Sequence, residues 1–292
     1  MKMQDKNKFF DEHGYVVIDD AFTKDEVKAF VCTLHDIIFY YLNKYKIVLP
    51  GIDELSIEVR CDNGLLALRS SNPKYPLLVQ AAISRSGEYY RLSSSPVVLG
   101  QMRSLLNLSQ SSPFYFTNNG IIFTNPNDED NKQSSNINTE WHKDTFYTIP
   151  KSQFLHIWAP ILHPSNKDIG TLMVCPGSHH GGVGQQRINI TAQYDHRYYM
   201  SPDEIDSYVP CSISLELGQA LIFDSRLIHK SGSNISDHVR CTLIGLYHNV
   251  LNENFQPLLV QYLYSEQTPE GYFYEIFQDK KALDLIDEQS FN

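Results

Sequence analysis

A chain of 292 residues, 42% of them hydrophobic, is long enough to bury one sizeable core, and we read residues 1–292 as a single domain. A formal charge of -10 without any run of Lys or Arg argues against a nucleic-acid or anionic-membrane partner and points to a small molecule instead. The five cysteines form no CxxC pair, the N-terminus MKMQDKNKFF lacks an apolar leader and no stretch approaches a membrane span, which together predict a reduced, cytoplasmic protein.

The first 112 residues read as a mixed, mostly helical support region. A strand over Tyr15–Asp19 precedes Thr23-Lys-Asp-Glu26, which has the form of a capping box and opens a helix to about Tyr41. Pro96, after Ser93 to Ser95, opens another through Leu99, Met102, Leu105 and Leu106. From Pro113 the texture changes to short β-branched and aromatic runs. They lie at Phe114–Thr117, Ile121–Thr124, Phe154–Leu162, Thr171–Val174, Ile213–Leu217, Ala220–Phe223 and Val239–Val250. That rhythm predicts a sandwich or jelly roll over 113–250, followed by a C-terminal extension, 251–292. Two polar stretches, Asn125–Asn138 and Gly181–Pro210, are too long for hairpin turns and suit surface loops or lids.

Trp141-His142-Lys143-Asp144 places a His and a carboxylate two apart, so that on a strand both project to one face and can bind one metal facially. The pattern is weak alone, because about one H-x-[DE] is expected by chance in a chain of this composition. A second set downstream strengthens it. His229 follows the strand Leu217–Phe223, and Arg240, eleven residues on, opens the next strand and offers a planar fork to a carboxylate. Ser231 can offer a hydroxyl to the same cavity. Other histidines read more plainly: Pro176-Gly-Ser-His-His180 as a turn, His156 and His163 as structural or surface groups, and His248 as a core or surface residue. The tyrosines Tyr194, Tyr198, Tyr199 and Tyr208 fall where substrate loops often lie, but Tyr is spread through the whole chain.

Together these motifs resemble the phytanoyl-CoA dioxygenase-like family of Fe(II)/2-oxoglutarate-dependent oxygenases. The resemblance is carried by Phe9–Ile18 with Asp25–Val27, by Trp141–Asp144, by Trp158–Leu172 leading to Pro176-Gly-Ser-His179, and by His229-Lys-Ser231, Asn234 and Arg240. It implies a mainly β double-stranded β-helix (jelly roll, cupin-like) core with flanking N-terminal helices. It implies further that His142, Asp144 and His229 bind iron and that Arg240 and Ser231 hold the distal carboxylate of 2-oxoglutarate, in a pocket lined by Trp158. No catalytic residue beyond the metal ligands is implied. The reaction would consume O2 and 2-oxoglutarate, release succinate and CO2, and hydroxylate a small or medium-sized polar metabolite. Asp144 keeps the carboxylate that related halogenases replace, which favours hydroxylation. The acidic balance disfavours a coenzyme A thioester. A cupin-like isomerase or epimerase leaves Arg240 unexplained, and a non-catalytic binding protein sits poorly with an intact triad. Oligomeric state is left open.

Overall fold

A computed structural model describes residues 3–126, 141–144, 153–181, 187–188, 198–199, 202–253 and 255. The chain opens with helix α1 (Met3–His13), turns at Gly14, where φ is +80°, and enters strand β1 (Tyr15–Ile18). Helix α2 (Lys24–Lys44) follows. Its capping box is formed as expected: the Thr23 hydroxyl accepts from the Glu26 backbone N–H, while a Glu26 carboxylate oxygen accepts from the Thr23 N–H at 2.8 Å. Four shorter helices complete this region: α3 (Ile57–Ser71), α4 (Tyr75–Ile83), α5 (Gly87–Ser93) and α6 (Pro96–Leu105).

The remaining strands are β2 (Phe114–Thr124), β3 (Phe154–Pro160), β4 (Leu172–Val174), β5 (Arg187–Ile188), β6 (Tyr198–Tyr199), β7 (Cys211–Ile213), β8 (Ala220–Asp224), β9 (His229–Ser231) and β10 (Arg240–Asn249). A one-turn helix, α7 (Pro202–Ile205), precedes β7. Among the described residues they form an antiparallel sheet in the order β1-β8-β3-β10-β2, a second antiparallel sheet β7-β4-β9 and a small β5-β6 pair.

Two expectations about strands need correction. The runs Phe114–Thr117 and Ile121–Thr124 are one strand, because the β10 register shifts between Ile244 and Leu246, so that Asn118 and Asn119 of β2 stand opposite Gly245 alone. This bulge absorbs the polar stretch without ending the strand. The strand expected over Ile213–Leu217 lies earlier, at β7, because Leu215 leaves that pairing to bridge Ser165. The polar loop expected over Asn125–Asn138 lies outside the described residues beyond Pro126, as do most of residues 182–201, including Tyr194, and the extension after Phe255.

The alternation of the large sheet explains its layering. Leu155, Ile157 and Ala159 of β3, with Ala220 and Ile222 of β8 and Leu243 and Tyr247 of β10, join α2, α3 and α4 in the main apolar core. The opposite parity, Trp158, Leu221 and Phe223, packs on Leu172 and Val174 of the small sheet. Strand β3 is therefore buried at all seven positions, which is why its sequence is a continuous apolar run rather than an alternating one. Helices, large sheet and small sheet form three layers, and the candidate site lies at the seam of the two sheets. Among the described residues no helix is long and apolar enough to cross a membrane.

Candidate metal centre

His142 sits in a two-residue bridge to His229: each backbone N–H donates to the other's carbonyl at 3.0 Å. Two residues on, the Asp144 N–H donates to the Ser225 carbonyl at 3.0 Å. These backbone bonds fix His142 and Asp144 against the segment from β8 to β9 and bring both side chains to one place, although His142 forms only an isolated bridge and Asp144 lies outside any strand, where the sequence suggested one strand through both. His142 Nε2 lies 3.6 Å from Asp144 Oδ1, and His229 Nε2 lies 3.4 Å from Asp144 Oδ2. All three residues are buried, and one ligand atom from each falls within 4.8 Å of the others. The sequence-predicted triad is thus brought together.

His229 is also oriented from behind. Its Nδ1–H donates to the Leu227 carbonyl at 2.9 Å, which fixes the tautomer and leaves the Nε2 lone pair facing Asp144. Burial, reinforced by His142, pushes the His229 imidazole down to about 3, so it is a neutral donor near neutral pH. Burial works to raise the Asp144 carboxyl, but the imidazoles of His156, His229 and His142 overcome it and hold the group below the usual carboxylate range. An ionised carboxylate beside the neutral His229 imidazole is the protonation state that a divalent cation requires. Asp144 Oδ2 is buried and accepts no well-directed hydrogen bond, an orphaned acceptor that a bound cation would satisfy.

His156 is the residue the sequence reading missed. The sequence suggests a structural or surface group, yet its Nε2 lies 3.1 Å from Asp144 Oδ2, with its ring stacked on Phe223 at 4.7 Å. Its strand parity carried the signal, since His156 and Trp158 must share the face of β3 that turns toward the small sheet. Trp158 itself is buried in the intersheet cluster beside Leu172, Val174 and Leu221. Lys143, of opposite parity to its neighbours, is buried with Nζ 3.5 Å from the Ser178 carbonyl, and burial lowers its ammonium.

Arg240 lies at the first position of β10. Its Nη1 donates to the Gly232 carbonyl at 2.8 Å and its Nη2 to Thr124 Oγ1 at 3.0 Å. Gly232 follows directly on β9, so the guanidinium sits about 10 Å along the chain from His229. Burial lowers Arg240 to about 10, which still leaves a cation at neutral pH. Its Nε has no hydrogen-bond partner, and among the described residues no carboxylate pairs with it. Gly170 makes the site possible: at φ +86° it faces the guanidinium, and a Cβ there would collide with Nη1. Ser231, two residues after His229, shares its face of β9.

The readings of the Pro176–His180 turn and of His248 hold. Ser178–His180 is a short turn after Gly177, in which His179 Nε2–H donates to the Asp11 carbonyl at 3.2 Å. His248 is buried and hydrogen-bonded to Thr117 at 2.8 Å.

Residues 10–242 match the family described as phytanoyl-CoA dioxygenase (PhyH). An L-proline trans-4-hydroxylase of Streptomyces griseoviridis is 28% identical over 144 residues, which is 44% of this chain and 53%, about half, of that protein. A 1-deoxypentalenic acid 11-beta-hydroxylase of Streptomyces exfoliatus is 24% identical over 244 residues, 79% of this chain and 74% of that one. Among solved structures, the epimerase SnoN in complex with Fe3+, alpha ketoglutarate and nogalamycin RO superposes with a TM-score of 0.58 at 15% identity. That match covers 91% of this chain and 90% of the other, and it is a likeness of fold.

Proposed function

The chain belongs to the phytanoyl-CoA dioxygenase family of iron- and 2-oxoglutarate-dependent enzymes, and on that premise we propose that it hydroxylates an unactivated C–H of a small or medium-sized polar metabolite. In this reading the two packed sheets are the halves of a double-stranded β-helix. His142, Asp144 and His229 would hold Fe(II), with 2-oxoglutarate and O2 as its further partners. Iron bound there supplies the oxidative chemistry, with succinate and CO2 released.

The residues have separable tasks. His142 and His229 offer ring nitrogens, and Asp144 a carboxylate oxygen that offsets part of the cation's charge. Arg240 pairs with the distal carboxylate of 2-oxoglutarate, and the Ser231 hydroxyl donates to the same group. Trp158, Leu172 and Leu221 wall the intersheet space and exclude water, so the guanidinium–carboxylate attraction is screened less than at the surface. The observation that carries the reading is Arg240: a buried cation without a carboxylate partner among the described residues, next to a strand that begins with a metal-ligand candidate. A metal-dependent isomerase acting without a dicarboxylate has no use for it.

The two hydroxylase relatives are named for L-proline and 1-deoxypentalenic acid, and a small-molecule substrate for this chain agrees with both names. The test is uncoupled turnover. Anaerobically purified protein given Fe(II), 2-oxoglutarate and air should form succinate slowly, above the level of the Asp144→Ala variant. Equal succinate from the two proteins, with iron bound to the wild type, would remove the proposal.

A further inference from the structure

A second group of one aspartate and two histidines lies where the helical layer meets the large sheet. Asp62, on α3, is buried, and its Oδ1 accepts the backbone N–H of Val239 at 3.0 Å. Its Oδ2 is approached by two imidazoles at once, His163 Nε2 at 2.9 Å and His238 Nδ1 at 2.8 Å. The two rings face each other at 4.5 Å. We propose that Asp62, His163 and His238 form a second metal site, taking a nitrogen-preferring divalent ion of the Zn2+ or Co2+ type.

The argument begins with donor placement. One ligand atom from each residue falls within 4.8 Å of the other two. Ligand bonds of about 2.0–2.1 Å in a tetrahedral site hold donors roughly 3.3 Å apart, so the carboxylate oxygen and the rings need separate by only about half an ångström to admit the ion. The three residues come from three anchored places: the interior of α3, the turn three residues after β3, and the second position before β10. Such donors are oriented before any ion arrives. Val239 holds Oδ1, so Asp62 presents Oδ2 alone, as a monodentate ligand fixed from behind.

Metal type follows from the donor set. Two imidazoles and one carboxylate suit zinc, cobalt or nickel better than calcium or magnesium, which favour oxygen. His238 is half exposed at its side chain, so water can reach the fourth position. The ion would take the place of the ring protons now directed at Oδ2, and each ring would then carry its N–H on its other nitrogen. Its effect would be local, because His238 lies two residues before Arg240 and the ion would pin the start of β10 to α3.

Titration of the metal-free full chain with Co2+, followed by visible absorption and by metal analysis after gel filtration, tests this. Wild-type protein should bind two equivalents, Asp144→Ala one, His238→Gln one, and the double variant none. Gln at the half-exposed position 238 has little core to disturb, and circular dichroism checks that the fold is kept. In the Asp144→Ala background, Zn2+ should raise Tm when His238 is present and leave it unchanged in His238→Gln. Unchanged Co2+ stoichiometry in His238→Gln, or no binding to Asp144→Ala, overturns the second site and leaves the proposed function standing. Loss of stoichiometry confined to Asp144→Ala is one such result. Unchanged stoichiometry in Asp144→Ala alone counts instead against the triad.

Discussion

Asp144 sits among three histidines and Asp62 between two, and the fold treats the two carboxylates in opposite ways. At the seam of the sheets, Asp144 Oδ2 is buried 3.1 and 3.4 Å from two imidazoles and still accepts no well-directed hydrogen bond. At the seam of helix and sheet, both oxygens of Asp62 are satisfied, one by the Val239 N–H and the other by two ring nitrogens. A cation would complete the first cluster. The second holds the backbone together without one and can exchange ring protons for an ion. A buried polar group left short of partners costs stability, and such cost collects where function needs it.

The largest expected effect is on Asp144, and it separates activity from stability. Asp144→Ala should abolish iron binding and turnover while the metal-free protein loses less urea stability than Asp62→Ala does, because no directed hydrogen bond to Oδ2 is lost. Asp62→Ala should do the reverse, lowering stability by about 3 kcal/mol, since it strands the Val239 N–H and two rings in or near the core. Equal stability losses in the two variants would erase the contrast.

Arg240 comes next. Arg240→Ala should raise the 2-oxoglutarate KM about a hundredfold with iron still bound, the expected cost of removing one partner from a buried charge pair. Gly170→Ala should raise it about tenfold through displacement of the guanidinium, with the change in KM larger than that in kcat. Retention of wild-type KM by Arg240→Ala would assign the distal carboxylate to another group.

How much of this was legible in the chain depends on the range over which each feature is decided. The capping box at Thr23 and Glu26 and the order of His229 and Arg240 are local patterns, and the structure forms them as read, while His142 and Asp144 come together without the strand that their spacing suggested. The clustering of Asp62, His163 and His238 was not legible, because Asp62 is 101 residues from His163 and 176 from His238, and no periodicity links a helix interior to two strand ends. His156 lies between these cases. Its parity with Trp158 was visible, but that β3 is covered on both faces became clear only once the small sheet was seen to pack on it. His156→Ala should weaken iron binding about tenfold, as loss of a group that orients a ligand carboxylate does, and His156→Gln should restore part of it. Unchanged iron affinity in both variants would make His156 a packing residue only.

The smallest effect concerns pH in the metal-free protein. Burial pushes His229 down to about 3 and His248 down to about 4, both from an ordinary value near 6.5. Below pH 6.5 the unfolded chain therefore takes up protons at these positions before the folded chain does. The stability from keeping the rings neutral is fully present above about 6.5 and declines as pH falls toward 4 and 3. The Asp144 carboxyl, held low, also loses its contribution on acidification, but only below its ordinary range near 3.8, so between pH 6.5 and 5 the imidazoles dominate. Urea midpoints measured in chelator should fall from pH 7 to pH 5 in the wild type, and fall less in His248→Gln, which keeps a hydrogen-bonding group beside Thr117 without a titrating ring. His229→Gln should flatten the same slope by a similar amount, since both folded values lie below that window. If neither substitution flattens it, the acid sensitivity arises elsewhere, and the contrast between the two aspartate clusters then rests on hydrogen bonding alone.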